Sequence, residues 1–310
     1  LVPLIRNLGG SFYAMIAMIA GFITNIILDY LFVWVWGQGV AGAAIATVIG
    51  QGVTMLIALV YILRKKQFTL KIPISKAGTV SASILKIGVA PFGLAMSPNI
   101  SSIIINRFSA SYGGEPAIAT YACIAYMICI IYLVFQGVGD GSQPLISQYY
   151  GERDFTRLKS IRRLAYSFAM LLAIIGCIIM YLTRGSLGLL FGASNEVNTE
   201  VAKIIPIFLV SVPFVAIVRV TTASFYASEK SALSYVLTFI EPILMLTLML
   251  ILPPLFGGQI MIWWSTVIAR ILSAILALIL KSHVDRHDLS AIPSRRREND
   301  KTAKPAQGSD

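Results

Sequence analysis

The residues best suited to bind an ion are Asn25, Asp29 and Thr47. Asp29 is the only acidic residue in the apolar runs 11–36 and 39–63. Asn25 precedes it by four residues, so the two side chains share one helical face. Thr47 lies in the second run, and an antiparallel neighbouring helix would place it at a depth in the membrane similar to that of Asn25 and Asp29. A carboxylate, an amide oxygen and a hydroxyl that face one another can bind a hard cation or share a proton. The pattern predicts a cation or proton site; a carboxylate that bonds only to backbone or water is the alternative interpretation.

A second group of charges, Arg219, Glu241 and Arg270, lies in three later apolar runs. Counted from the ends of those runs at 1.5 Å per residue, all three lie roughly 13–16 Å deep. A charge at the centre of a membrane-spanning helix costs about 2.5–3.5 kcal/mol on insertion scales, so such charges tend to face a protein interior. The sequence predicts a buried cluster in which Glu241 pairs with one of the arginines, either for structure or for function.

The elements that must position these residues are long apolar runs. The chain has 57% hydrophobic and only 13% charged residues, with a mean hydropathy of +0.79, whereas a soluble domain has about 25% charged residues. In lipid the backbone must satisfy its own hydrogen bonds, which predicts helices. The sequence therefore predicts an all-α polytopic membrane protein with about eight transmembrane helices, at residues 11–36, 39–63, 87–106, 116–139, 164–183, 204–228, 231–256 and 259–280.

Small residues recur at four-residue spacing in the second run, at Gly42, Ala46 and Gly50. Residues four apart lie on one helical face, and small side chains let two helices approach closely. We expect this face to contact a neighbouring helix, and the pattern implies no chemistry.

The distribution of basic residues predicts the orientation. The net charge is +11, but the basic residues occupy short connections between apolar runs, which argues against nucleic-acid binding. Most of the 25 Lys and Arg lie in alternate connections, at 64–86, 151–163 and beyond 281. The positive-inside rule places these connections and both chain ends in the cytoplasm. We expect a multi-pass protein of a plasma membrane, of the prokaryotic inner-membrane kind, with the lipid bilayer as its partner.

Several other classes of site are disfavoured. His283 and His287 are too few to hold a metal, and Cys123, Cys129 and Cys177 lie within apolar runs as thiols rather than as a disulfide framework. Neither HExxH nor GxSxG occurs. We expect neither an enzyme nor a resident cofactor, and no metal site.

Three stretches, within residues 3–51, at 139–151 and at 219–230, resemble the MATE family, the multidrug and toxic compound extrusion transporters. PLIRNLG at 3–9, NIILDYLF at 25–32 and GVAGAAIATVIGQ at 39–51 look like the family's fifth and sixth helices. GDGSQPLISQYYG at 139–151 looks like the end of its eighth helix, and RVTTASFYASEK at 219–230 looks like its tenth helix entering an inner loop. The resemblance extends to about residue 281.

The resemblance implies a twelve-helix fold of two six-helix lobes, of which this chain would be helices five to twelve. Two N-lobe helices would occupy residues 1–66, an inter-lobe loop 67–82, six C-lobe helices 83–281, and a disordered basic tail 282–310. In some branches an Asn and an Asp on helix five, with a Thr on helix six, belong to a cation or proton site. Asn25, Asp29 and Thr47 match those positions, but the Asp that the first helix contributes to that site would be absent here.

The expected function is a secondary active antiporter that exports drugs or other organic, cationic compounds in exchange for Na⁺ or H⁺, as a monomer. A lipid or polysaccharide flippase of related fold is the alternative. A membrane-embedded enzyme is disfavoured because the sequence contains neither of the catalytic motifs named above. A passive channel would be excluded by uphill transport driven by an imposed ion gradient.

Overall fold

The protein, as a computed structural model, is described over residues 1–65 and 74–290, and this described part contains helices and short connections but no β-strand. The chain divides into two compact units, Leu1–Ser81 and Ala82–Asp310. Over the described residues, seven helices are long and apolar enough to cross a membrane. The expected all-helical membrane architecture is confirmed.

The first unit is built on two long helices. The short α1, Val2–Asn7, leads into α2, Ser11–Asp29. A π-helical turn, Tyr30–Val35, continues α2 directly after Asp29, and α3 spans Gly39–Arg64. The buried residues of α2 and α3 are mostly small, so the two backbones lie close together: Ala14, Ala17 and Gly21 on α2, and Gly42, Ala46, Gly50, Ala58 and Ile62 on α3.

The helices of the second unit are longer than a bilayer requires. After α4, Ile74–Gly151, which begins before the boundary between the units, come α5, Phe155–Leu190, α6, Asn195–Ala227, α7, Ser231–Phe256, and α8, Ile260–Ser290. Tyr121, Phe208 and Trp263 pack together within the main core, with ring centroids 5.6–6.3 Å apart. Many large side chains on the outer faces of the helices are apolar and exposed, as lipid contact requires.

Helix α4 folds back at Gly114. This residue has φ 62° and ψ −158°, outside the helical region, and glycine adopts such angles without steric penalty. In one straight helix Ser97 and Gln136 would be about 58 Å apart, yet both line a single cavity of about 640 Å³. The two halves of α4 therefore run antiparallel, and each is long enough to cross a membrane.

Two helix boundaries differ from the sequence prediction. Helix α4 begins at Ile74, inside the loop expected at 67–82, and residues 66–73 lie outside the described residues. Helix α8 continues through Ser290, although a tail was expected from 282. Asp285 stabilises this extension, because it accepts hydrogen bonds of 3.0 Å from both Lys281 and Arg162. The remaining tail residues, 291–310, also lie outside the described part.

Candidate functional site

The first candidate site lies on α2 and α3. The Asn25 amide donates to Thr47 Oγ1 across 3.5 Å, a long contact, and Thr47 Oγ1 donates in turn to the carbonyl oxygen of Ala43 at 2.9 Å. Asp29 is half-buried, and its Oδ1 is shielded from solvent with no hydrogen-bond partner among the described residues. The structure thus brings Asn25 and Thr47 together, while no hydrogen bond joins Asp29 to either.

Two glycines set the spacing of the helices that carry this site. A Cβ atom on Gly50 would lie 2.8 Å from the Gly21 carbonyl oxygen and 2.9 Å from Asn25 Cβ. A Cβ atom on Gly21 would lie 2.6 Å from the Gly50 carbonyl oxygen. Since all three distances are shorter than real Cβ contacts, only glycine fits at these positions without a shift of its neighbours. This close crossing holds Asn25 against α3.

The π-helical turn Tyr30–Val35 begins at the residue after Asp29. Such turns use i→i+5 hydrogen bonds, occur rarely, and are frequent at functional sites. Here the turn places Phe32 and Trp36 in a stacked arrangement, with ring centroids 5.0 Å apart. Asp29 therefore lies where regular α-helix gives way to a wider and less stable geometry.

The second candidate site is the charge cluster of the second unit. Arg270 Nε donates to Glu241 Oε1 at 3.3 Å, and Arg270 Nη1 donates to Ser211 Oγ at 3.2 Å. Both charged side chains are largely buried, with 6% of Arg270 and 16% of Glu241 exposed. Ser211 Oγ itself donates to the Phe208 carbonyl oxygen at 2.7 Å. Glu241 and Arg270 thus form a buried, hydrogen-bonded ion pair between α7 and α8, tied to α6.

Arg219 joins the same cluster through an aromatic ring. The guanidinium carbons of Arg219 and Arg270 lie 5.8 Å and 5.5 Å from the centroid of the Tyr132 ring. Both distances are within the range of cation–π attraction. The three charges that the sequence placed at one depth, Arg219, Glu241 and Arg270, therefore do lie together.

These charges line the cavity of about 640 Å³ that both halves of α4 enclose with α6, α7 and α8. Its size falls within the range of small-molecule sites, roughly 300–1,000 Å³. The wall combines aromatic rings with polar side chains, among them Tyr121, Tyr126, Phe208, Asn99, Ser102 and Gln136. Such a lining suits a compound with both an apolar body and hydrogen-bonding groups.

Three polar atoms of this wall are buried without a hydrogen-bond partner among the described residues: Ser101 Oγ, Asn106 Oδ1 and Tyr132 Oη. A buried polar group left without a partner costs about 1–3 kcal/mol. The sequence prediction missed these residues. A signal was available for Asn106, because it recurs with Asn99 and Ser102 at helical spacing in the otherwise apolar run 87–106.

In the described part of the chain, no group of three or more His, Cys, Asp or Glu residues could hold a metal ion. His283 is exposed, and the side chain of His287 lies outside the described residues.

Comparison with known proteins places these helices in context. The MatE family model matches residues 92–251. The multidrug export proteins MepA of Staphylococcus saprophyticus and Staphylococcus haemolyticus are 24% and 27% identical to this chain over 277 and 280 residues. Each alignment covers 89% of this chain and 61% of the relative, so the chain spans about three-fifths of their length.

Solved structures share the fold. An outward-facing multidrug resistance MATE family transporter of the MOP superfamily superposes with a TM-score of 0.84 at 21% identity, covering 93% of this chain and 65% of that one. A MOP superfamily transporter from Pyrococcus furiosus gives a TM-score of 0.82 at 21% identity, covering 92% and 65%.

Proposed function

Because the chain belongs to the MatE family, we propose that it works in a secondary active antiporter, which exports drugs or other organic compounds in exchange for Na⁺ or H⁺. Family membership and the seven helices long and apolar enough to cross a membrane, counted over the described residues, support drug export. The MepA relatives are multidrug export proteins, and extending their activity to this chain is part of the proposal. The exchange and its coupling ion rest on the site around Asp29.

The observation that carries the coupling proposal is the buried Oδ1 of Asp29, which has no partner among the described residues. An unpaired buried carboxylate oxygen is costly, and more so when the group is charged. A proton on the carboxyl group, or a Na⁺ ion held by it together with the oxygens of Asn25 and Thr47, removes that cost. Asp29 is thus a group whose bound partner can change during a transport cycle.

An ion that binds one conformation better than another shifts the equilibrium between them. Asp29 is well placed for this, because the π-helical turn begins at the next residue. We propose that ion binding at Asp29 stabilises one geometry of this turn and ion release favours another. The close contact at Gly21 and Gly50 transmits that change from α2 to α3.

The cavity of the second unit supports organic compounds as the transported class. Its volume of about 640 Å³ accommodates a drug-sized molecule. The unpartnered oxygens of Ser101, Asn106 and Tyr132 offer hydrogen bonds to such a molecule, and the aromatic rings offer stacking. Organic cations remain the class that we predict from the family resemblance.

The test is Asp29→Asn in the transporter that contains this chain, reconstituted in vesicles with an imposed Na⁺ or H⁺ gradient. We expect gradient-driven efflux to be lost, because an amide neither binds Na⁺ as a carboxylate does nor takes up the proton. Binding of the organic compound should be retained, since the cavity is built from other residues. The matched control is Glu196→Gln, which removes an exposed acid at the start of α6.

Full gradient-driven efflux in Asp29→Asn would exclude Asp29 from coupling. Movement of a labelled lipid, with none of an organic compound in the unsubstituted protein, would instead identify a flippase.

A further inference from the structure

A second cavity, of about 650 Å³, opens between α5, α6 and α8. We call it the basic groove. One end carries the basic side chains Lys159, Arg162, Arg163 and Lys281 together with Asp285. The other end is apolar and is lined by Met170, Leu171, Ile174, Ile217 and Leu278. Neither the coupling proposal nor the ion pair of Glu241 uses these residues.

The two ends of the groove match the layers of a bilayer. Helix α5 is 36 residues long, and its longest run without a charged residue is 164–183. These 20 residues span about 30 Å, the thickness of the hydrocarbon core. Arg163 therefore lies at the edge of that core, at headgroup level. Ile174, eleven residues further on, lies about 16 Å deeper, close to the middle of the bilayer.

The basic end has more positive than negative charge. Arg162 is only 4% exposed and donates to Asp285 Oδ1 at 3.0 Å and to Ser228 Oγ at 2.9 Å. Lys281 Nζ contacts the other oxygen of Asp285 at 3.0 Å. One carboxylate is thus shared by two cations. In addition, the buried Nε of Arg162 has no acceptor within the described chain.

Two further cations, Lys159 and Arg163, are exposed at the same end of the groove. A bound group that brings negatively charged oxygens would complement all four basic side chains. The apolar end, which includes the exposed Leu171 and Ile174, requires that the same molecule also carry a hydrocarbon chain.

We propose that the basic groove binds an anionic phospholipid, with its phosphate at Lys159, Arg162, Arg163 and Lys281 and an acyl chain against Leu171 and Ile174. Basic pockets between transmembrane helices on the cytoplasmic side suit such headgroups, and the predicted orientation puts this end of α5 there. The proposal does not depend on the transported compound or on the coupling ion.

The test compares binding of phosphatidylglycerol and phosphatidylcholine with identical acyl chains to the purified chain in detergent, by native mass spectrometry. We expect phosphatidylglycerol to bind more tightly. Each basic residue near a headgroup contributes about five-fold in affinity, so Lys159→Gln with Arg163→Gln should weaken phosphatidylglycerol about thirty-fold. The matched control, Arg107→Gln with Arg184→Gln, removes the same charge away from the groove and should leave binding unchanged.

Equal affinity for the two lipids would overturn the proposal, as would an equal loss in the control variant, which would mean a general charge effect. Glycerol phosphate has the charge but no acyl chain, so we expect it not to compete with phosphatidylglycerol. Competition at equal concentration would show that the apolar end contributes nothing and that the occupant is a soluble anion. Unchanged thermal stability of both double variants would show that lost binding is not lost folding.

Discussion

Individual charged residues inside this protein fall into two kinds. Glu241 has its charge balanced by Arg270, which is itself held by Ser211. Asp29 has a shielded oxygen without a partner among the described residues. A paired charge of the first kind fixes helices in place, whereas a carboxylate of the second kind can exchange its ligand. This contrast is our reason for assigning coupling to Asp29 and a structural role to Glu241.

We predict that Glu241→Gln destabilises the protein, because it leaves the Arg270 guanidinium buried with its charge uncompensated. Breaking a buried pair in this way typically costs ~3–5 kcal/mol. The double variant with Arg270→Gln should lose less than the sum of the two single variants. Unfolding midpoints in detergent measure both effects. The exposed pair Lys203 and Glu200 is the control, and Glu200→Gln should cost less than about 1 kcal/mol. Additive losses at Glu241 and Arg270 would contradict the pairing.

The sequence predicted the buried charge cluster, because helix rise converts residue number into depth in the membrane. It did not distinguish Arg219 from Arg270 as the partner of Glu241, since both lie at similar depth and rotation about the helix axis decides the contact. The link between Arg162 and Asp285 joins residues 123 positions apart. The spacing of residues along the sequence cannot predict a contact of this kind, because it depends on how α5 and α8 pack.

At the scale of helices, small-residue spacing was a reliable guide. Gly42, Ala46 and Gly50 are buried, as predicted, and Gly50 contacts Gly21 on α2. Hydropathy located the apolar centre of α5 but not its ends. The helix begins at Phe155, and the residues up to Arg163 are mostly polar, so their low hydropathy does not mark them as part of a membrane-spanning helix. The fold-back at Gly114 was predicted only as a gap between two apolar runs.

We predict that Gly50→Ala destabilises the contact between α2 and α3 by about 1–3 kcal/mol, the usual cost of overpacking. Gly52 is the matched control, since a Cβ atom there would have no heavy atom within 4 Å. Gly52→Ala should be neutral or stabilising, because alanine favours helix. Thermal unfolding of the two variants measures this difference in stability. Equal stability of Gly50→Ala and Gly52→Ala would mean that the two helices separate without cost.

At the scale of the whole molecule, the distribution of basic residues predicts which side faces the cytoplasm. In a background without Cys123, Cys129 and Cys177, we expect Arg157→Cys to resist an impermeant thiol reagent in intact cells and to react after permeabilisation. Lys203→Cys, beyond the far end of α5, should react in intact cells. Both positions are on the protein surface. The opposite labelling pattern would invert the proposed topology and move the basic groove to the outer leaflet.

The fold-back at Gly114 also bears on how the chain enters a membrane during synthesis. Between Asn106 and Thr120 the connection carries only two charged residues, Arg107 and Glu115, of opposite sign. Moving it across the bilayer therefore costs little free energy. Each half of α4 also satisfies its backbone hydrogen bonds internally. The two halves can consequently insert together as a helical hairpin that never exposes a long polar loop. A charge added to this turn would delay translocation of the connection.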